Sequence, residues 1–182
     1  MNFEHHHSPE SAVPSDFHSL YEGRPFCLCT VCGESLRHFA EGYQVSRMFH
    51  GEEVVLEYAI CAPCYHNLVK DFSEHSVQSI LRFHEERARK PMNDPGEPDY
   101  GCEFCENHRF QLVESKKQFV LCAFFIGERL LQGPLFACED CILDLNSCLS
   151  EETRRRKTEF FDDHFPGVPA GLHPDFDRIP TL

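Results

Sequence analysis

Residues 61–74 read CAPCYHNLVKDFSE and residues 138–151 read CEDCILDLNSCLSE, so the second stretch repeats the first at an offset of 77. Both cysteines return, as do Leu68 in Leu145, an apolar residue where Phe72 becomes Leu149, and the Ser-Glu pair in Ser150-Glu151. Tyr65, Leu68, Val69 and Phe72 fall at helical spacing. Pro63 suits a first helical turn, because it lacks the amide hydrogen that such a turn leaves unbonded. The paired cysteines therefore open a short helix, and Ser73 or Ser150 can cap a second one.

Each stretch has an upstream partner, Cys29-x-x-Cys32 for the first and Cys102-x-x-Cys105 for the second. Two residues between cysteines is the spacing at which one turn presents both sulfurs to one ion, and four soft ligands suit tetrahedral zinc. The expected ligands are Cys29, Cys32, Cys61 and Cys64 for one Zn²⁺, and Cys102, Cys105, Cys138 and Cys141 for a second. A site built of cysteine alone has no open coordination position, so such a zinc holds a fold and does not activate water. Cys27, two residues before Cys29, could replace it as a ligand; Cys122 and Cys148 read as core residues.

Between the cysteine pairs lie two β-branched and aromatic runs around a glycine turn. Tyr43 to Phe49 and Val54 to Ile60 flank His50-Gly51-Glu52, a hairpin pattern. The second copy aligns at an offset of 76: Tyr43 with Phe119, Met48 with Phe124, Phe49 with Phe125, and Gly51-Glu52 with Gly127-Glu128. Gly33, directly after Cys32, lets the chain turn with positive φ so that amides point at the sulfurs. Glu106 stands in its place in the second copy, which predicts a looser knuckle, and loops absorb four extra residues between that copy's cysteine pairs.

Knuckle, hairpin, then a CxxC whose last cysteine sits in the first turn of a helix resembles the treble-clef, zinc-ribbon-like group of four-cysteine zinc fingers. The resemblance covers Cys29 to about Phe72 and Cys102 to about Leu149 and concerns the fold group. It implies an α+β protein of two tandem treble-clef-like units packed together. Units of about seventy residues bury little core alone, so a metal and a shared pseudo-two-fold interface through the helices and apolar hairpin faces are expected to stabilise them.

The remaining organisation follows from composition. Residues 1–26 are polar, carry His5, His6 and His7, show no sustained period, and read as a disordered leader. The first zinc-binding repeat spans 27–90, a linker rich in proline 91–99, the second repeat 100–163, and an extended tail 164–182. No signal-like start precedes the eleven cysteines, which points to a reducing, cytoplasmic setting where paired thiols hold zinc. The longest apolar run, Phe119 to Ile126, is too short to cross a bilayer.

A formal charge of -13 counts against nucleic acid, whose affinity comes mostly from cations meeting phosphates. Arg154-Arg155-Arg156-Lys157 is the feature that would favour it. Helical i,i+4 pairing of Glu151 with Arg155 and of Glu152 with Arg156 explains that run as a salt-bridged, solvated face. Some HNH-like nucleases also resemble a treble clef, with a histidine near the hairpin and an asparagine-histidine pair around the helix. His50, His66 and Asn67 invite that comparison, but their spacing differs and the second copy has Ile126, Leu143 and Asp144 instead. No catalytic residue is assigned. The expected function is a structural zinc protein serving protein interaction or scaffolding, with a nucleic-acid-binding zinc finger as the alternative.

Overall fold

Residues 13–89, 95 and 99–165 are described by a computed structural model. Strands β3 (Tyr43–His50) and β4 (Glu53–Cys61) form the first hairpin, and β5 (Gln118–Ile126) and β6 (Arg129–Cys138) the second. Gly51 and Gly127 take φ of 60° and 59° at the first position of two-residue turns. An L side chain is strained there, which accounts for glycine in both copies.

The hairpins join edge to edge. Strand order is β4-β3-β5-β6, all antiparallel, so β3 and β5 become the centre of one four-stranded sheet. The helices and the apolar hairpin faces are the expected contact between units; the pairing of β3 with β5 adds backbone hydrogen bonds that each hairpin alone would leave open. The register pairs Ser46 with Cys122, which are also repeat equivalents, so a pseudo-two-fold axis passes between them. Tyr43 stacks on Phe125 and, at the symmetric place, Phe49 on Phe119, with centroids 5.5 and 4.6 Å apart.

Each CxxC leads into a helix pair: α1 (Ala62–Val69) then α2 (Glu74–Arg87), and α4 (Glu139–Ser147) then α5 (Glu151–His164). Ser73 and Ser150 cap α2 and α5, accepting from the amides of Ser76 and Thr153. The two caps also touch on the axis, with Oγ atoms 2.8 Å apart. Their own amides donate crosswise, Ser73 N to Thr153 Oγ1 at 3.0 Å and Ser150 N to Ser76 Oγ at 2.8 Å. The axis therefore runs through the sheet and the helix layer alike.

Three expectations need correction. Residues 13–26, expected within a disordered leader, belong to the fold. Phe17, in a 3₁₀ turn at Ser15–Phe17, is fully buried edge-on to Phe125, and Val13 is buried with it. A small ladder of β1 (His18–Ser19) and β2 (Arg24–Pro25) follows. Glu57 holds this segment down, accepting from Leu20 N and Ser19 Oγ while pairing with the buried Arg47 guanidinium at 3.3 Å. Buried charge demands such a partner, and Tyr100 adds a hydrogen bond to Asp16.

Second, the four extra residues of the second copy lie in no plain loop: the segment forms a short helix, α3 (Arg109–Glu114), boxed at its start by His108 and Gln111. Third, Cys148 is exposed at the end of α4, donating to Asp144 O, and is no core residue. Residues 1–12, most of the linker and residues 166–182 lie outside the described residues. Phe165, at the head of the expected tail, is buried against Tyr58 and Phe161. No helix among the described residues is long and apolar enough to cross a membrane.

Candidate metal centres

The first centre is assembled from the knuckle Cys29–Gly33 and the start of α1. Gly33 has φ of 73°, its amide bonding Cys29 O at 2.9 Å, while Cys29 N bonds Glu34 O at 2.8 Å. Thr30 staples this loop to the edge of β4: its amide donates to Ala59 O and its hydroxyl accepts from Ala59 N. That places the knuckle beside Cys61, the N-cap of α1, whose amide donates to Cys29 Sγ at 3.4 Å. Cys64 follows in the first helical turn.

The second centre repeats the plan. Cys102 N bonds Asn107 O at 2.9 Å, as Cys29 does Glu34, so the knuckle closes in the same register although Glu106 has no positive φ. The loop expected to be looser instead gains donors: Asn107 gives its backbone amide to Cys105 Sγ and its side-chain amide to Cys138 Sγ, each at 3.5 Å. Glu103 N staples to Phe136 O, and Cys138 caps α4 with its amide on Cys102 Sγ at 3.5 Å. Sequence reasoning misses Asn107 because the repeat alignment seeks a glycine next to the second cysteine, not a donor two residues on.

Within each tetrad the four sulfurs lie within 4.8 Å of one another. A tetrahedral ion bonded to sulfur at about 2.3 Å requires edges of about 3.8 Å; Cys32 and Cys61 are 3.8 Å apart, Cys105 and Cys138 3.5 Å. Both sites can therefore hold a metal ion. Their burial differs: Cys32 is exposed, whereas every ligand of the second tetrad is buried or partly buried.

The electrostatics suit a cation. Hydrogen bonds with Cys102 and Cys141 hold the Cys138 thiol far below its ordinary value, and those with Cys102 and Cys138 push Cys141 far above it. In the first tetrad burial opposes ionisation of Cys29, but the amides of Cys32, Cys61 and Val31 bring it below the usual value. Burial pushes Cys61 up to about 11. One sulfur in each group, Cys29 and Cys138, thus ionises more readily than an ordinary thiol, whereas Cys61, Cys64, Cys102 and Cys141 resist. A divalent ion would offset the repulsion among four thiolates, and the positive ends of α1 and α4 stabilise the negative charge on the sulfurs.

Other sequence candidates fall elsewhere. Cys27 donates its thiol to Pro25 O and is outside the tetrad that could hold an ion, in which Cys29 stands. Cys122 is buried at the centre of the sheet, its thiol pushed up to about 12 by burial. His50 ends β3 at the hairpin turn, whereas His66 and Asn67 lie on α1, which starts beside the opposite end of that strand. His66 faces Glu41 at 3.8 Å and Asn67 accepts from Lys70. The structure does not bring this trio together.

The basic run on α5 is spent within the protein, though not on the expected partners. Arg155 and Arg156 pair with Glu159, and Arg156 also with Asp71; Glu151 and Glu152 are not their partners. Lys157 is buried and donates to Asn146 Oδ1 at 3.1 Å. Compared with family models, with curated proteins and with solved structures, the chain gives no match.

Proposed function

We propose that this is a structural zinc protein, with one Zn²⁺ in each cysteine tetrad, that serves as a cytoplasmic protein-interaction or scaffold module and not as an enzyme. The observation that carries the reading is the pair of all-sulfur tetrads, each joining a knuckle to the first turn of a helix at the end of a shared sheet. Zinc bound by four thiolates has no position for substrate or water, so its contribution is to fix the knuckle, the hairpin end and the helix start. The treble-clef resemblance supports the same role.

Nucleic-acid binding is the weaker reading. In its best feature, Arg154 to Lys157, Arg155 and Arg156 are ion-paired, Arg154 donates to Leu149 O and Lys157 is buried, and phosphate contacts need free cations. A salt titration of binding to mixed DNA and RNA separates the two: no binding is expected, and micromolar affinity with a steep log-log salt slope would favour the alternative. Elemental analysis of purified protein tests the zinc, with two equivalents per chain expected and well-folded material holding one or none overturning the reading.

A further inference from the structure

Where β3 and α1 of the first unit meet β5 and β6 of the second lies a pocket whose residues the pseudo-two-fold axis does not reproduce. It opens at the surface between Glu41, His66 and Leu131, and its walls are Tyr43, Ile60, Tyr65 and Phe124. Gln44 lines its inner part at 3 % exposure. The Gln44 amide nitrogen donates to Ser46 Oγ at 2.8 Å, and the same amide favours the thiolate form of Cys122. Its carbonyl oxygen has no donor among the described residues. Val120, equally buried, is the repeat equivalent of Gln44, and Ile142 and Leu143 are those of Tyr65 and His66. Packing alone is thus met by valine at this position, and the buried carboxamide is peculiar to the first unit.

Chemistry narrows the occupant. The volume is about 160 Å³, close to that of an engineered cavity of roughly 150 Å³ that takes benzene, so one six-membered ring fits. An aliphatic group would strip water from the Gln44 oxygen and return no donor, which is unfavourable for a buried acceptor. A cation is poorly matched to a neutral amide in an apolar pocket, and the one carboxylate of the lining, Glu41, lies at the exposed mouth. A ring with a neutral donor at its tip, opposite its point of attachment, meets every requirement.

We infer that this pocket is a docking site for a tyrosine side chain of a partner polypeptide, with the phenol hydroxyl donating to Gln44 Oε1 and the ring seated between Tyr65, Ile60 and Phe124. The inference rests on the protein-interaction reading and names the chemistry of the partner. Tryptophan is a poorer fit, because its ring system exceeds the benzene-sized space and its N–H lies on the side.

The test is an NMR titration of the full zinc-loaded chain with p-cresol, with toluene, and with the peptide Gly-Gly-Tyr-Gly-Gly. Saturable shifts of the Gln44 side-chain amide are expected with p-cresol and the peptide, with p-cresol about 3- to 10-fold tighter than toluene, the range a net hydrogen bond supplies. Gln44→Leu should abolish that preference. Should this variant fail to fold, Leu131→Trp at the exposed mouth decides, and it should block p-cresol. Equal binding of p-cresol and toluene, no saturation, or unaltered p-cresol binding by Leu131→Trp would overturn the inference. Binding of p-cresol without the peptide would overturn it in favour of a free phenol. Zinc-loaded, folded chain with no p-cresol binding speaks only against the tyrosine site, whereas micromolar binding of mixed DNA and RNA by the same sample, with a steep salt slope, would speak against the interaction reading.

Discussion

The two units solve one structural problem with different means. In the first, Gly33 turns the knuckle through positive φ and Cys32 stays exposed; in the second, Glu106 makes the turn without it and Asn107 supplies two hydrogen bonds to sulfur. In both, the four sulfurs lie within 4.8 Å of one another. What has to be kept is the set of donors around four thiolates and the helix start behind them, and the backbone route to that set can vary. The units also differ where nothing structural requires it, at Gln44 against Val120, and that is where binding is sought.

Breaking one centre gives the largest effect. Cys141→Ser should cost most of the zinc free energy at the second site, which for structural sites is on the order of 10 kcal/mol. Because β3 and β5 share one sheet, disorder should spread into the first unit. Amide spectra recording both halves check this; an unaltered first unit would show that the halves fold independently.

Phe119→Ala removes a fully buried ring that stacks on Phe49 across the interface and tilts against Phe136 of its own unit. About 3–5 kcal/mol of destabilisation is expected, in a single unfolding transition by chemical denaturation. Gly33→Ala meets no neighbouring atom but forces a left-handed backbone, costing about 1–2 kcal/mol. Glu106→Gly should change stability by less, since the second knuckle does not use that conformation; thermal melts of the two variants compare the routes directly. Ser73→Ala and Ser150→Ala should each cost about 1 kcal/mol. Because the two hydroxyls touch, the double variant should depart from additivity by about 0.5 kcal/mol or more.

The cysteine tetrads, the hairpins and their glycine turns, and the serine caps are legible in the sequence because each has a local signature of fixed spacing. The duplication also announces a pseudo-two-fold pair. What it leaves open is how the pair meets, since edge pairing of β3 with β5 depends on hydrogen-bonding edges and registers that apolar periodicity does not record. The segment 13–26 escapes for a similar reason: its hold depends on isolated anchors, Val13 and Phe17, and on Glu57 thirty-seven residues beyond Leu20. Cys148 is misplaced by helical spacing because α4 ends one residue before it, and at the C-cap its thiol is exposed. Arg155 and Arg156 pair with Glu159 one turn on in α5 and not with Glu151 and Glu152 one turn back, and the packing of α1 near α5 brings Asp71 within reach of Arg156.

The most direct test of the central claim is native mass spectrometry of the full chain during titration with a zinc chelator. Two zinc ions per compactly folded chain are expected at the start, with loss of metal accompanied by the broad, high charge states of an unfolded chain. A compact chain that persists with no zinc would contradict the account.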